Sequence, residues 1–188
     1  KKKKKKIMAN NFWTNANVDP KRKYRFIVEL AGVGGIGSVW FAKTVDKPEI
    51  SIGTGEVDFL QHKFYYPGRV EWNEIGLTLV DPISPDATEI FLDILQNSGY
   101  TGPMEAKTTL QSISKGAETN ALGNVIIKQV SADGEIQEEW VLNNAIITKV
   151  GWGDLDYGSE DLSEISISFR YDWATCTTGV TQRQFIKN

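Results

Sequence analysis

Residues Ile165-Ser166-Ile167-Ser168-Phe169-Arg170-Tyr171-Asp172-Trp173 alternate apolar and polar side chains without a break. A period of two belongs to an extended strand with one buried face, and no helix can carry it. Ile165, Ile167, Phe169, Tyr171 and Trp173 point one way; Ser166, Ser168, Arg170 and Asp172 point the other. A strand cannot stand alone, so its partners must be found elsewhere in the chain.

Several segments offer themselves. Arg22 to Ala31 places Tyr24, Phe26 and Val28 on one face, and Gly37 to Val45 reads as its hairpin partner. Arg69 to Val80 is strand-like, but its parity changes between Trp72 and Ile75, which puts a bulge near Asn73-Glu74. Between them, Pro48 to Leu60 is rich in Gly, Ser and Thr, with Ile50, Ile52, Val57 and Phe59 spaced through it. That stretch reads as a long loop with some extended structure. Asn124 to Ser131 and Ile136 to Val150 flank Ala132-Asp133-Gly134-Glu135, where Asp-Gly predicts a hairpin with both turn residues at positive φ.

One helix interrupts the strands. Ser84 suits its cap, Pro85 its first position, and Asp86 and Glu89 its positive end. Ala87, Ile90, Phe91, Ile94 and Leu95 recur at helical spacing up to a stop at Gly99. In residues 101–123, Leu110 and Ile113 are helix-compatible, but Gly116 to Gly123 reads as loop. The expected fold is mainly β: an antiparallel β-barrel or sandwich with one packed α-helix. Residues 1–20 read as an N-terminal arm in which Phe12 and Trp13 form an aromatic anchor or part of a disordered terminus. Residues 21–175 form the β-barrel domain and 176–188 a tail.

Charge narrows the function. The 188 residues carry a net charge of −3, but Lys1 to Lys6 conceal a more acidic body: 15 basic residues against 24 acidic ones remain. Such a body is unsuited to holding nucleic acid, which requires cations in place of phosphate counterions. The lysine run is a nucleic-acid or membrane patch, a solvated repulsive segment, or an upstream extension of the start at Met8; the last is favoured. No apolar run approaches the ~20 residues of a membrane span, and no signal-like apolar region follows the lysines. Cys176 is the only cysteine, which excludes an internal disulfide and fits synthesis in a reducing cytoplasm.

The chemistry that would make an enzyme is missing its context. Gly32-Val33-Gly34-Gly35-Ile36-Gly37 matches the dinucleotide pattern GxGxxG, but the residues after it read as strand, and the mechanism needs a helix there. His62 is the only histidine and sits beside Phe64, Tyr65 and Tyr66, in an edge or loop position. Cys176 lies in a Thr-rich stretch, and the ligands for a zinc site are too few. Asp154, Asp156, Glu160 and Asp161 begin like a calcium loop, but Ile165 stands where its closing glutamate belongs; a solvated turn is the default. No catalytic residue, cofactor or metal is expected.

Two segments carry a family resemblance: Phe64 to Asp81 with the helix from Pro85 to Asn97, and Glu138 to Trp173. Trp72, Leu77, Leu79 and Asp81, then Phe169, Tyr171, Asp172 and Trp173, give a sequence order similar to that of major tail tube proteins of contractile-tailed phages. The resemblance covers most of residues 22–174. It implies hexameric rings of this chain stacked into a tube in the virion tail. Sheath protein would lie outside, tape-measure protein and then transient double-stranded DNA inside, and baseplate and tail-terminator proteins at the ends, with no membrane contact. Ring stacking is expected from Ile50, Ile52, Val57 and Phe59, helped by Phe12 and Trp13. Glu71, Asn73, Glu138 and Glu139 are candidates for lining the lumen. Two other readings stay open: the tube subunit of a type VI secretion or extracellular contractile injection system, and a carbohydrate- or receptor-binding β-sandwich module.

Overall fold

The computed structural model describes residues 19–32, 41–100, 102 and 112–179. The arm with Phe12 and Trp13, the glycines at 34, 35 and 37, Leu110 and the last nine residues lie outside the described residues. The fold is mainly β, with every strand pair antiparallel.

The first sheet has the order β1-β6-β7-β10, from β1 (Phe26–Leu30), β6 (Val125–Val130), β7 (Ile136–Asn143) and β10 (Trp173–Thr178). A second has the order β2-β5-β9-β8, from β2 (Ala42–Val45), β5 (Ile75–Val80), β9 (Glu164–Arg170) and β8 (Ile146–Gly151). The remaining strands, β3 (Ile50–Phe59) and β4 (His62–Trp72), pair only with each other. Val28, Leu30, Ile127 and Leu142 of the first sheet and Leu77, Leu79, Ile165, Ile167 and Phe169 of the second share one buried core.

The alternation from Ile165 onward holds through Tyr171, but the strand does not continue to Trp173. The chain turns at Asp172 and Trp173 begins β10 in the other sheet, where it is partly exposed. This β10 includes Cys176, which is buried in the sheet, and continues to Thr178. Three further expectations need correction. Gly37 to Val45 does not pair with the strand before it: β2 pairs with β5, and β1 with β6 across about a hundred residues of sequence. Ile136 to Val150 divides at Asn144, whose φ of 54° redirects the chain from the first sheet to the second. The turn at Asp133-Gly134 forms, but only Gly134 adopts positive φ; the Ser131 hydroxyl accepts the Asp133 and Glu135 amides to shape the rest.

Helix α1 (Ala87–Asn97) buries Ala87, Phe91 and Ile94. Its cap is Asp86 rather than Ser84: one carboxylate oxygen accepts the Thr88 and Glu89 amides at 2.9 and 3.2 Å. A second helix, α2 (Lys115–Leu122), occupies the segment read as loop. Ser114 caps it, and Glu118 reaches from it to accept the Ile147 amide of β8. At its end Gly123 has φ 68°, and an added Cβ would fall 2.5 Å from the Ala31 carbonyl carbon. Gly32 meets the same crossing: its added Cβ would lie 2.1 Å from the Ala121 carbonyl oxygen. The first glycine of the dinucleotide-like motif therefore serves helix–strand contact.

Candidate functional site

Residues 50–59, read as a loop, form one arm of a long hairpin with β4. The register runs from Ile50 opposite Trp72 at the root to Phe59 opposite His62 at the tip, where Leu60 takes φ 54°. A shift between Ile52 and Thr54, with Gly53 against Gly68, marks a bulge partway along. Only the root is fastened. Trp72 packs on Tyr171 with ring centroids 5.8 Å apart, Asn73 donates its amide to the Glu49 carbonyl at 2.9 Å, and Arg170 pairs with Glu71 at 2.7 Å. Beyond the root, the large side chains Ile52, Val57, Phe59, Leu60, Phe64, Tyr65, Tyr66 and Val70 are exposed.

Sequence gives an incomplete account of this ribbon because it has no single buried face to impose alternation. Ile50, Ile52, Val57 and Phe59 are all on it, with Ile50 half-buried at the root. The aromatic run Phe64-Tyr65-Tyr66, considered only as the surroundings of His62, contributes as much exposed surface as the residues singled out.

The four lumen candidates do not share a face. Glu71 lies at the hairpin root beside Arg170, and Asn73 follows it, its amide oxygen accepting from Ser51 Oγ at 3.0 Å. Glu139 lies on the far face of the first sheet, 3.9 Å from Lys128. Glu138 is buried, bound by Lys21, by Lys47 at 2.9 Å and by the Trp140 indole N–H. Burial pushes its carboxyl pKa up, but the three bonds outweigh burial and hold it at about 2. A buried, neutralised carboxylate contributes little field to any channel.

Beside the hairpin root, the sandwich is open between edge strands β1 and β2. A groove of about 820 Å³ runs there, floored by Phe26, Val45, Ile127 and Trp140 and rimmed by Lys23, Lys43, Lys47 and Asp46. Elsewhere, the loop at 152–163 presents Leu155, Tyr157 and Leu162 to solvent. Its acidic residues make local turns, with Asp156 accepting the Gly158 amide at 2.9 Å and Asp161 accepting from Ser159 Oγ at 2.8 Å. Among the described residues no group of three or more His, Cys, Asp and Glu side chains is placed to hold a metal. His62 is exposed at the hairpin tip. Burial raises the pKa of the Cys176 thiol, the opposite of what a nucleophile needs.

A two-sheet body with flanking helices and a projecting hairpin is the fold of tube and cap proteins from contractile injection particles. The chain superposes on a structure of the anti-feeding prophage cap that terminates its tube, with TM-score 0.64 and 22% identity, covering 92% of this chain and 100% of that one. It also superposes on a chain of the sheath–tube complex of the PVC extracellular contractile injection system, with TM-score 0.60 and 24% identity, covering 85% and 92%. A third match is a chain of the six-fold symmetrised anti-feeding prophage baseplate, with TM-score 0.61 and 15% identity, covering 84% and 95%. No family model matches the chain, and no curated protein matches it in sequence.

Proposed function

We propose that this protein is a structural tube subunit of a contractile tail or injection particle, stacking as rings around a channel. The observation that carries the reading is the hairpin. A two-stranded ribbon is marginal in water by itself, and this one leaves large apolar side chains uncovered along its length. Neighbouring copies in a tube would cover it, so the residues Ile52, Val57 and Phe59 serve stacking, with Phe12 and Trp13 assisting.

The ring number is six, in keeping with the six-fold symmetry of the baseplate that contains a similar fold. Sheath packs outside, and baseplate and terminator proteins close the ends. In a phage tail the channel holds tape-measure protein and then DNA; in an injection particle the same conduit passes another cargo. The similar solved structures belong to injection particles, which gives that second setting its support. Of the two sheets, the second suits the channel wall. Its solvent face carries Gly76 opposite Ser168 and Thr78 opposite Ser166, small and uncharged, flanked by Lys149, by Lys43 bound to Glu164 and by Arg170 paired with Glu71. A wall with few free cations lets a polyanion slide with little counterion exchange.

Negative-stain microscopy of the purified protein, with light scattering over a wide concentration range, tests the proposal. Rings or tubes and a mass that grows with concentration are expected. A monodisperse monomer of 21.0 kDa at every concentration would overturn it.

A further inference from the structure

The two halves of the hairpin are apolar on opposite faces. Directly paired residues of an antiparallel ladder share a face, and successive residues alternate. On one face the pairs near the root are Ile50 with Trp72 and Ile52 with Val70, but past the bulge they become Glu56 with Tyr65 and Asp58 with Lys63. On the other face the root pair is Ser51 with Glu71, and the tip pairs are Gly55 with Tyr66, Val57 with Phe64 and Phe59 with His62. The root's apolar face is partly fastened to its own body through Trp72. The tip's apolar face has no cover.

We infer that the tip face, Val57, Phe59, Phe64 and Tyr66, seats in the groove between β1 and β2 of a second copy of this chain. The inference rests on the tube reading and adds to it the surface that receives the hairpin. Two observations carry it. First, area: these side chains are 52, 64, 49 and 58% exposed. With aromatic side chains burying ~150–250 Å² each, the face offers roughly 400 Å², about half of what each partner gives a stable interface. Every copy would both give and receive one such contact, which doubles it per subunit.

Second, reach: ten residues at ~3.4 Å extend ~34 Å, and a body of this size is about 35–40 Å across. The groove lies at the hairpin root, where Asp46 and Lys47 lead into β3. A copy displaced by one body length therefore brings its groove to the first copy's tip. Knob and groove are different surfaces, so the contact is heterologous and propagates instead of closing as a dimer.

Cysteine crosslinking on assembled protein tests this, since the native Cys176 is buried. A Phe59→Cys, Thr44→Cys double variant should oxidise to a ladder of covalent multimers, and mixing the two single variants should give a crosslinked pair. Tubes that form without a crosslink between positions 44 and 59 would overturn this docking and leave the tube reading standing. So would a Phe59→Cys variant that crosslinks only to position 59 of another copy, or a Trp13→Cys variant that crosslinks to position 44 in its place. An absence of any assembly in the unmodified protein would overturn both.

Discussion

Glu138 gathers the roots of two segments onto one carboxylate. Lys21 approaches from the chain entering β1, Lys47 from the link between β2 and the hairpin, and Trp140 from the same strand. Its pKa of about 2, against 4.5 for a free carboxyl, makes it a stability determinant. A carboxylate depressed in the folded state stabilises above the unfolded pKa, and that contribution is lost as pH falls toward the folded pKa. The window is therefore pH 4.5 down to about 2. The two lysines are about half exposed, which moderates the gain to ~1–3 kcal/mol. Glu138→Gln should lower Tm at pH 7 by roughly 2–4 °C for each kcal/mol lost. Thermal melts from pH 7 to pH 2 should show the difference from the unsubstituted protein shrinking across that window. A constant difference would mean that packing, not the ion cluster, is responsible. The aromatic/Asp/aromatic signature also divides into distinct tasks. Tyr171 holds Trp72 at the hairpin root, and Asp172 joins Lys115 at 2.7 Å and Asn144 at 2.8 Å, fixing α2 and the β7–β8 corner at the sheet crossing.

The hairpin is the element that the body does not need: of its residues, only Trp72 at the root packs against the core. Core residues from both sheets and α1 remain in place without it, and its cross-strand pairs begin only at Ile50 and Trp72. Replacing residues 52–70 by a two-residue turn should leave a folded subunit, with a cooperative melt by circular dichroism, that forms no long tubes in negative stain. Tubes of normal length would show that stacking runs through other surfaces. How far such elements are legible in sequence follows from their burial. Strand β9 is half-buried and alternates; α1 packs Ala87, Phe91 and Ile94 at helical spacing; both could be read directly. The hairpin turn at Gly134 was marked by its own residue type. Strands β3 and β4 could not be, because glycines and a bulge break the pattern and no core selects a face. Helix α2 escaped because Lys115–Leu122 is too short and polar for a stripe, being held by its Ser114 cap and by Glu118. The partner of β1 was missed because β6 lies across both helices in sequence, and local alternation carries no information about long-range pairing. Among the site residues, the apolar set on the hairpin was found through its cost in water, but Glu138 was not recognisable as buried: an acidic residue reads as solvent-facing unless its cations are adjacent in sequence.

At the scale of the molecule, the question is which of two sheet surfaces meets the channel. The first sheet's outer face mixes Ile27, Ile126 and Val141 with the Glu29–Lys128 pair, whose ammonium and carboxylate lie 2.6 Å apart. That mixture of apolar area and fixed charge suits a packed interface. The second sheet's outer face offers hydroxyls and a glycine around Lys149, and its other cations, Lys43 and Arg170, are held by Glu164 and Glu71, so little of its positive charge is free to grip a phosphate chain. If this face lines the channel, adding cations beside Lys149 should make the wall markedly more adhesive. Thr78 and Ser168 sit on adjacent strands and point outward, so Thr78→Lys with Ser168→Lys should leave the core intact. Tubes of the double variant, assembled with short duplex DNA at low salt, should retain far more of it than tubes of the unsubstituted protein. Each lysine that reaches a phosphate adds about 0.9 to the slope of log affinity against log salt, so retention should fall steeply as salt rises. Circular dichroism and tube length in stain serve as the controls for folding and assembly. Normal tubes that retain no DNA would place this sheet away from the channel and return the wall to the other sheet, where Glu139 lies.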